Sequence, residues 1–298
     1  MQNNRNSRSS ARLLATLAML LACAVVLTFI GTMLAKQNSA YNAPVIEGVS
    51  GQSSSSQSQT AASSSDGPQQ LPLPASVHLD VPVIGQNPEL PNGCEITSLT
   101  MLLQYLGFDV DKMTMAEDYL PRSEKFYGAD PEVEFMGDPS QSSGESCGFY
   151  CFQGPIIQAA EKYLAAQGQA DAWEVTDITG VDAAGLAEQL AAGNPVLVWA
   201  TIDFKDVRES SKWSWTTASG ETYTPLVDVH CLVLTGYEDN QFYLSDPLET
   251  YESVRQQKFM EIFTAMGSRA VVITPKEPTP EPTPDPSAEA SSAPSSAA

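Results

Sequence analysis

Four residues in this chain have the types and spacing to do nucleophilic chemistry: Cys94, His230, Asp246 and Gln86. A thiol attacks a carbonyl carbon as thiolate, so it needs a base to take its proton, and imidazole is the side chain suited to that near neutral pH. A carboxylate that accepts the second ring N–H fixes the tautomer of the base, and a side-chain amide can donate to the oxyanion of a tetrahedral intermediate. Cys94 lies in PELPNGCEITSLTMLLQYLG, which runs from Pro88 to Gly107. Its two prolines and the Asn92-Gly93 pair read as a rigid turn. Ile96, Leu99, Leu102, Leu103 and Leu106 then recur at helical spacing until Gly107 stops the helix. A thiol where turn becomes helix faces unpaired N–H groups and the positive dipole end, and both favour thiolate. Gly93 would leave bare backbone for a substrate carbonyl to approach. The competing reading is a buried cysteine at the start of a core helix.

The base and its orienter must come from elsewhere in the chain. His230 opens and Asp246 nearly closes HCLVLTGYEDNQFYLSDP, which reads as two strands around a Glu-Asp-Asn turn. In such a hairpin, opposed residues have numbers summing to about 476–478, so His230 and Asp246 fall opposite or diagonal on one face. A slip of one residue would separate them. Taken alone, the pair also fits a core histidine satisfied by a local carboxylate. Gln86 ends HLDVPVIGQ (78–86), which alternates like an edge strand running into a loop. From that loop its amide could meet the backbone N–H of Cys94 as an oxyanion hole, although a solvent-facing loop glutamine would look the same.

The elements that must position these residues follow from periodicity. Helices are expected over 154–168, with Pro155 in the first turn, over 182–192 and over 255–267. PVLVWATI (195–202) is a continuous apolar run expected of a buried central strand that carries Trp199, and RAVVIT (269–274) reads as the last strand. The stretch 108–153 is loop-rich. Helices come first and antiparallel strands mostly later, so the fold class is α+β, in one domain spanning 76–275.

The ends of the chain read differently. Arg5, Arg8 and Arg12 precede an uncharged apolar run from Leu13 to Ala35, long enough to span a hydrocarbon core of about 30 Å. Residues 1–35 are therefore expected to be a cytoplasmic N-terminus and a transmembrane signal anchor, with the rest outside; the alternative is secretion after signal cleavage. Residues 36–75 are Ser/Gln-rich and residues 276–298 Pro/Ser/Ala-rich, and both read as disordered, a tether and a tail.

Composition limits the partners. The chain has 36 acidic and 15 basic residues, and only three of the basic ones precede the end of the apolar run. A formal net charge of −21 with no basic stripe argues against nucleic acid. The remaining cysteines are Cys23, Cys147, Cys151 and Cys231, with no CxxC pair and only His78 besides His230, which argues against a structural zinc site or other metal. Cys231 should point to the face opposite His230 and lie in the core. Cys147 and Cys151 are spaced for a small loop disulfide or are two free thiols. Trp213 and Trp215 either cover a cleft or are exposed loop residues.

VPVIGQNPELPNGCEITSLTMLLQYLGF, FMGDP, GPIIQAA, GNPVLVWAT, HCLVLTGYEDNQFYLSDPL and MGSRAVVI together resemble the bacteriocin-leader (double-glycine) peptidase-like family of papain-fold cysteine peptidases, in stand-alone form. The resemblance implies Cys94 as nucleophile, His230 as general base and acid, Asp246 as orienter and Gln86 as oxyanion donor, with no cofactor. The chain departs from the pattern at 140–153 and has no attached transporter. With the anchor expected at 1–35, the function expected is that of a membrane-anchored, extracytoplasmic peptidase acting on peptide or protein substrates through a thioester. The alternatives are a papain-fold transpeptidase or amidase on cell-wall peptides and a non-catalytic surface binding module.

Overall fold

The computed structural model describes residues 73–276. The expected anchor at 1–35 lies outside the described residues, as do the tether at 36–75 and the tail at 276–298 apart from residues 73–75 and 276. Among the described residues no helix is long and apolar enough to cross a membrane.

Helix α1, Cys94–Tyr105, is buried at every residue from Cys94 to Leu103. A helix with so little polar surface has to sit inside the domain rather than on it. Two of its hydroxyls are paired, Thr100 Oγ1 donating to the Ile96 carbonyl at 2.7 Å and Ser98 Oγ to the Cys231 carbonyl at 3.1 Å, while Thr97 Oγ1 is buried with no partner among the described residues. Gly107, at φ 92°, reverses the chain just beyond it. A short helical segment over 112–119 follows, its first turn capped by the Asp111 side chain on the N–H groups of Met113 and Thr114.

The other main helices are α2 (Gln153–Ala166), α3 (Ala183–Ala191) and α4 (Gln256–Ala265). Seven strands form the main sheet: β1 (Val77–His78), β2 (Trp173–Asp177), β3 (Val196–Thr201), β4 (Val229–Glu238), β5 (Gln241–Ser245), β6 (Ser253–Arg255) and β7 (Ala270–Pro275). Their order is β6-β5-β4-β3-β7-β2, with β1 also on β4, and every pairing is antiparallel. β3 is buried at all six residues, as a central strand should be. The β4–β5 turn has Asp239 at φ 47° and Asn240 at φ 62°, the left-handed pair that suits the twist of a two-residue hairpin.

Three parts of the sequence reading need correction. The strand expected over 78–86 is regular only at Val77–His78, because Pro82 offers no N–H and the chain continues irregularly toward Gln86. Strands β2 and β6 were not foreseen; both are short and lie at the two edges of the sheet, where alternation is weak. The polar segment between β3 and β4 forms two small antiparallel ribbons, Arg208–Glu209 with Leu226–Val227 and Trp215–Thr216 with Thr222–Tyr223. The remaining helices and strands fall within a few residues of the expected spans.

Candidate active site

Cys94 is the first residue of α1, after the N-cap Gly93, which supplies no side-chain cap. Among the described residues no group accepts the Cys94 backbone N–H, so one of the donors that every helix N-terminus leaves open is available there. Glycine at 93 has a packing reason rather than the expected open approach. A Cβ there would lie 2.7 Å from Leu90 Cβ, inside the turn in which the Gly93 N–H donates to the Leu90 carbonyl at 2.9 Å.

His230 is the second residue of β4 and pairs with Ala200 of β3. In the hairpin Val233 opposes Ser245 and Leu234 opposes Leu244, which sets Asp246 diagonal to His230 on one face. Nε2 of His230 lies 2.7 Å from Asp246 Oδ1, with both side chains almost wholly buried. Asp246 also caps the loop after β5: Oδ1 accepts from Leu248 N at 2.9 Å, and Oδ2 from Thr250 N and Tyr251 N, each at 3.2 Å. Burial pushes the Asp246 carboxyl up, but His230 and the amides of Leu248 and Thr250 outweigh it and hold the carboxyl below its ordinary value. Donation of Nε2–H to Asp246 leaves Nδ1 as the nitrogen able to take a proton.

Gln86 is buried rather than solvent-facing, at 3 % exposure. Its backbone N–H donates to the Pro247 carbonyl at 2.8 Å, and its own carbonyl accepts from Leu90 N and Lys112 Nζ. The glutamine is thereby pinned between the turn before Cys94 and the residue after Asp246. Nε2 donates to the Pro91 carbonyl at 2.8 Å, which leaves its second N–H available, while Oε1 is buried with no partner among the described residues. An unpaired buried acceptor costs about 1–3 kcal/mol, and such atoms tend to mark functional positions.

The thiol itself departs from expectation. Cys94 Sγ donates to Glu95 Oε2 at 3.3 Å and accepts the Cys231 backbone N–H at 3.4 Å; no hydrogen bond joins it to His230. Burial first, and then the neighbouring Glu95 carboxylate, push the thiol well above its ordinary value against the pull of the Cys231 N–H. A helix N-terminus contributes about 0.3–1 kcal/mol, up to ~2, whereas full burial can move a group by about 3–5 pH units, or roughly 4–7 kcal/mol. Burial wins, and the resting group is a thiol rather than the expected thiolate.

Glu95 is the residue that sequence reasoning missed. A carboxylate in the first turn of a helix ordinarily reads as a surface group favoured by the dipole, yet this one is 0 % exposed. Burial pushes its carboxyl up to about 7, against the pull of its own backbone amide, the Cys94 S–H and the Cys151 N–H. A carboxyl held at about 7 instead of 4.5 contributes stability that is present in full below pH 4.5 and is lost as pH rises through 7. That loss is of the order of 3 kcal/mol. Thermal melts of the wild type across this range should therefore show a fall that Glu95→Gln removes; parallel pH curves for the two proteins would contradict the assignment.

All four described cysteines are free, so Cys147 and Cys151 form no disulfide in this structure. Cys231 is in the core as expected, and it is its backbone N–H that meets Cys94. Trp199 is fully buried and donates to the Cys151 carbonyl at 2.9 Å. Trp215 is buried with Nε1 on the Ala129 carbonyl, whereas Trp213 is 40 % exposed.

A cysteine at the N-terminus of a buried helix, set beside an antiparallel sheet bearing a His–Asp pair, defines a papain-like cysteine peptidase fold. The model of the peptidase C39-like family matches residues 78–271, and the chain belongs to that family. It is 36 % identical over 193 residues to the uncharacterized protein YvpB of Bacillus subtilis, covering 62 % of this chain and 70 % of YvpB. A crystal structure from Bacillus anthracis, assigned as a C39-like peptidase, is similar at TM-score 0.58 and 31 % identity, over 68 % of this chain and 98 % of that one. A fainter likeness, at TM-score 0.37 and 16 % identity over 67 % of this chain and 95 % of the other, is to a double-glycine-motif protease of an AMS/PCAT transporter solved with its leader peptide.

Proposed function

We propose that this protein is a cysteine peptidase that hydrolyses peptide bonds with Cys94 as nucleophile, His230 as general base and acid, Asp246 as its orienter and Gln86 as oxyanion donor. The observation that carries the reading is the 2.7 Å His230–Asp246 contact, one residue along β4 from the backbone N–H that touches Cys94 Sγ. On substrate binding His230 Nδ1 takes the thiol proton, and sulfur bonds to the scissile carbonyl carbon. The Cys94 N–H and the spare Gln86 N–H receive the negative charge on oxygen. Collapse expels the amine, protonated by His230, and leaves a thioester; water, deprotonated by the same imidazole, then releases the acid.

Peptide cleavage by the purified chain, with products identified by mass, tests the reading. An added amine nucleophile separates hydrolysis from transfer, since a transpeptidase would yield the amide. Gln86→Ala should lower kcat about 10²–10³-fold, the usual loss for one oxyanion donor, with little change in KM. A wild-type kcat in that variant would remove Gln86 from the site.

The same reading places the domain outside the cell on a membrane anchor, supported by Arg5, Arg8 and Arg12 ahead of the apolar run Leu13–Ala35. The substrates are then membrane-proximal peptides, with neutral or basic ones favoured by the acidity of the domain. Protease digestion of intact cells tests the placement, and protection of the domain until lysis would overturn it.

A further inference from the structure

Next to Cys94 lies a carboxyl for which the peptidase cycle has no use. Glu95 is wholly buried, with Oε2 accepting the Cys94 S–H at 3.3 Å and Oε1 accepting the Cys151 N–H at 3.3 Å. The titratable groups around it are Cys94 on α1, Cys231 on β4, and Tyr150 and Cys151 in the segment leading into α2. The Tyr150 hydroxyl is engaged elsewhere, at 2.6 Å from the Tyr223 hydroxyl and 2.7 Å from Leu226 N. Beyond Cys151, Glu132 is paired with Arg269 at 2.6 Å. Among the described residues no lysine, arginine or histidine is paired with Glu95. A carboxylate so placed has no cation beside it, and its charge is stabilised by its own backbone amide, the Cys94 S–H and the Cys151 N–H.

We propose that Glu95 is a positioning residue that holds Cys94 as a protonated thiol in a resting position, anchored between the Glu95 carboxyl and the Cys231 N–H, from which the sulfur must be released before His230 can take its proton. The inference rests on the reading of Cys94 as the nucleophile. With Glu95 ionised, the pair carries one proton, on sulfur, and one negative charge, on the carboxylate. Removing that proton in place would set two anions side by side in a buried site, so the two groups titrate as a unit. A substrate that draws the sulfur toward His230 breaks the S–H···carboxylate contact and removes the obstacle. The resting enzyme thus keeps its nucleophile in the form least open to oxidation and stray alkylation.

The test is the rate of iodoacetamide alkylation at Cys94 in the full chain, mapped by mass spectrometry across pH, with Cys147 as internal reference. In the wild type the midpoint for Cys94 should lie above the ordinary thiol value of about 8.5. A midpoint at or below that value overturns the proposal and requires no variant. Glu95→Gln keeps the shape and removes the charge. It should lower the Cys94 midpoint by at least about one pH unit and raise the rate at pH 7 about tenfold or more, with Cys147 unchanged. A merely structural glutamate would lower the melting temperature on substitution and leave the pH profile in place, which is the overturning result. Should Cys94→Ala keep peptidase activity, the nucleophile reading falls whatever the alkylation profile; an inactive Cys94→Ala beside an unchanged Glu95→Gln profile sinks the Glu95 role alone.

Discussion

Replacing Cys94 with alanine should abolish peptide hydrolysis, by a factor of the order of 10⁴ or more, while leaving the fold in place. The substitution removes the one atom that bonds to the substrate. Its structural cost is small: the sulfur makes two long contacts, to Glu95 and to the Cys231 N–H, and the volume lost is that of a single atom. Cys94→Ser should be nearly as inactive. His230 would then have to deprotonate a far less acidic hydroxyl, beside a carboxyl that already opposes charge at that position. Circular dichroism and thermal melts establish that the variants are folded, and product formation by mass reads the activity. Activity within about tenfold of wild type in folded Cys94→Ala would require another nucleophile.

Asp246→Asn has the second largest expected effect, and the geometry makes it more severe than exchange to an amide would suggest from the sequence. Oδ1 accepts from His230 and Leu248 N, and Oδ2 accepts from Thr250 N and Tyr251 N, so both oxygens face donors only. An asparagine must turn its NH₂ toward one of these sets. With NH₂ toward His230, the imidazole is held in the tautomer with Nε2 as acceptor, and Nδ1 carries the proton it should be free to take. Reversed, the amide loses two backbone hydrogen bonds and the loop after β5 loosens. We expect a loss of about 10²–10⁴-fold in kcat, bounded above by the corresponding exchange in serine-protease triads. A fall in stability of about 1–3 kcal/mol should accompany it if the loop side is the one disrupted. Rates and melts at wild-type values would remove Asp246 from the site.

Much of the scaffold around these residues could be read from the sequence because periodicity and turn chemistry agreed with the tertiary fold. The apolar repeat from Ile96 to Leu106, the six buried residues of β3 and the turn at Asp239-Asn240 each have a local cause. The hairpin arithmetic named the right pair, but the strands leave the turn one residue out of that register, with Glu238 opposite Gln241, and it is a β-bulge between Leu234 and Gly236 that returns the pairing to Val233 opposite Ser245 and sets Asp246 diagonal to His230. The expectation for the thiol did not hold, because burial is a property of what packs around a residue. Nothing local to Cys94-Glu95 records that β4 and the Tyr150–Cys151 segment close over them, so a dipole-favoured thiolate was expected where desolvation keeps a thiol. Gln86 shows the same limit, since its sequence fits an oxyanion donor and a solvent-facing loop residue equally. It reads as a loop glutamine, and only the contacts to Pro247, Lys112 and Pro91 show it to be a fixed, buried amide.

The central claim, that Cys94 is a nucleophile served by His230, is tested most directly by reaction with a peptidyl epoxide followed by intact-mass measurement and adduct mapping. Such a reagent occupies the substrate site and is captured only by a sulfur that can be activated there. The account predicts one adduct per chain, on Cys94, formed faster than any adduct on the more exposed Cys147 and lost in His230→Ala. An adduct on Cys147 with Cys94 unmodified, or Cys94 labelling that survives His230→Ala at the wild-type rate, would contradict it.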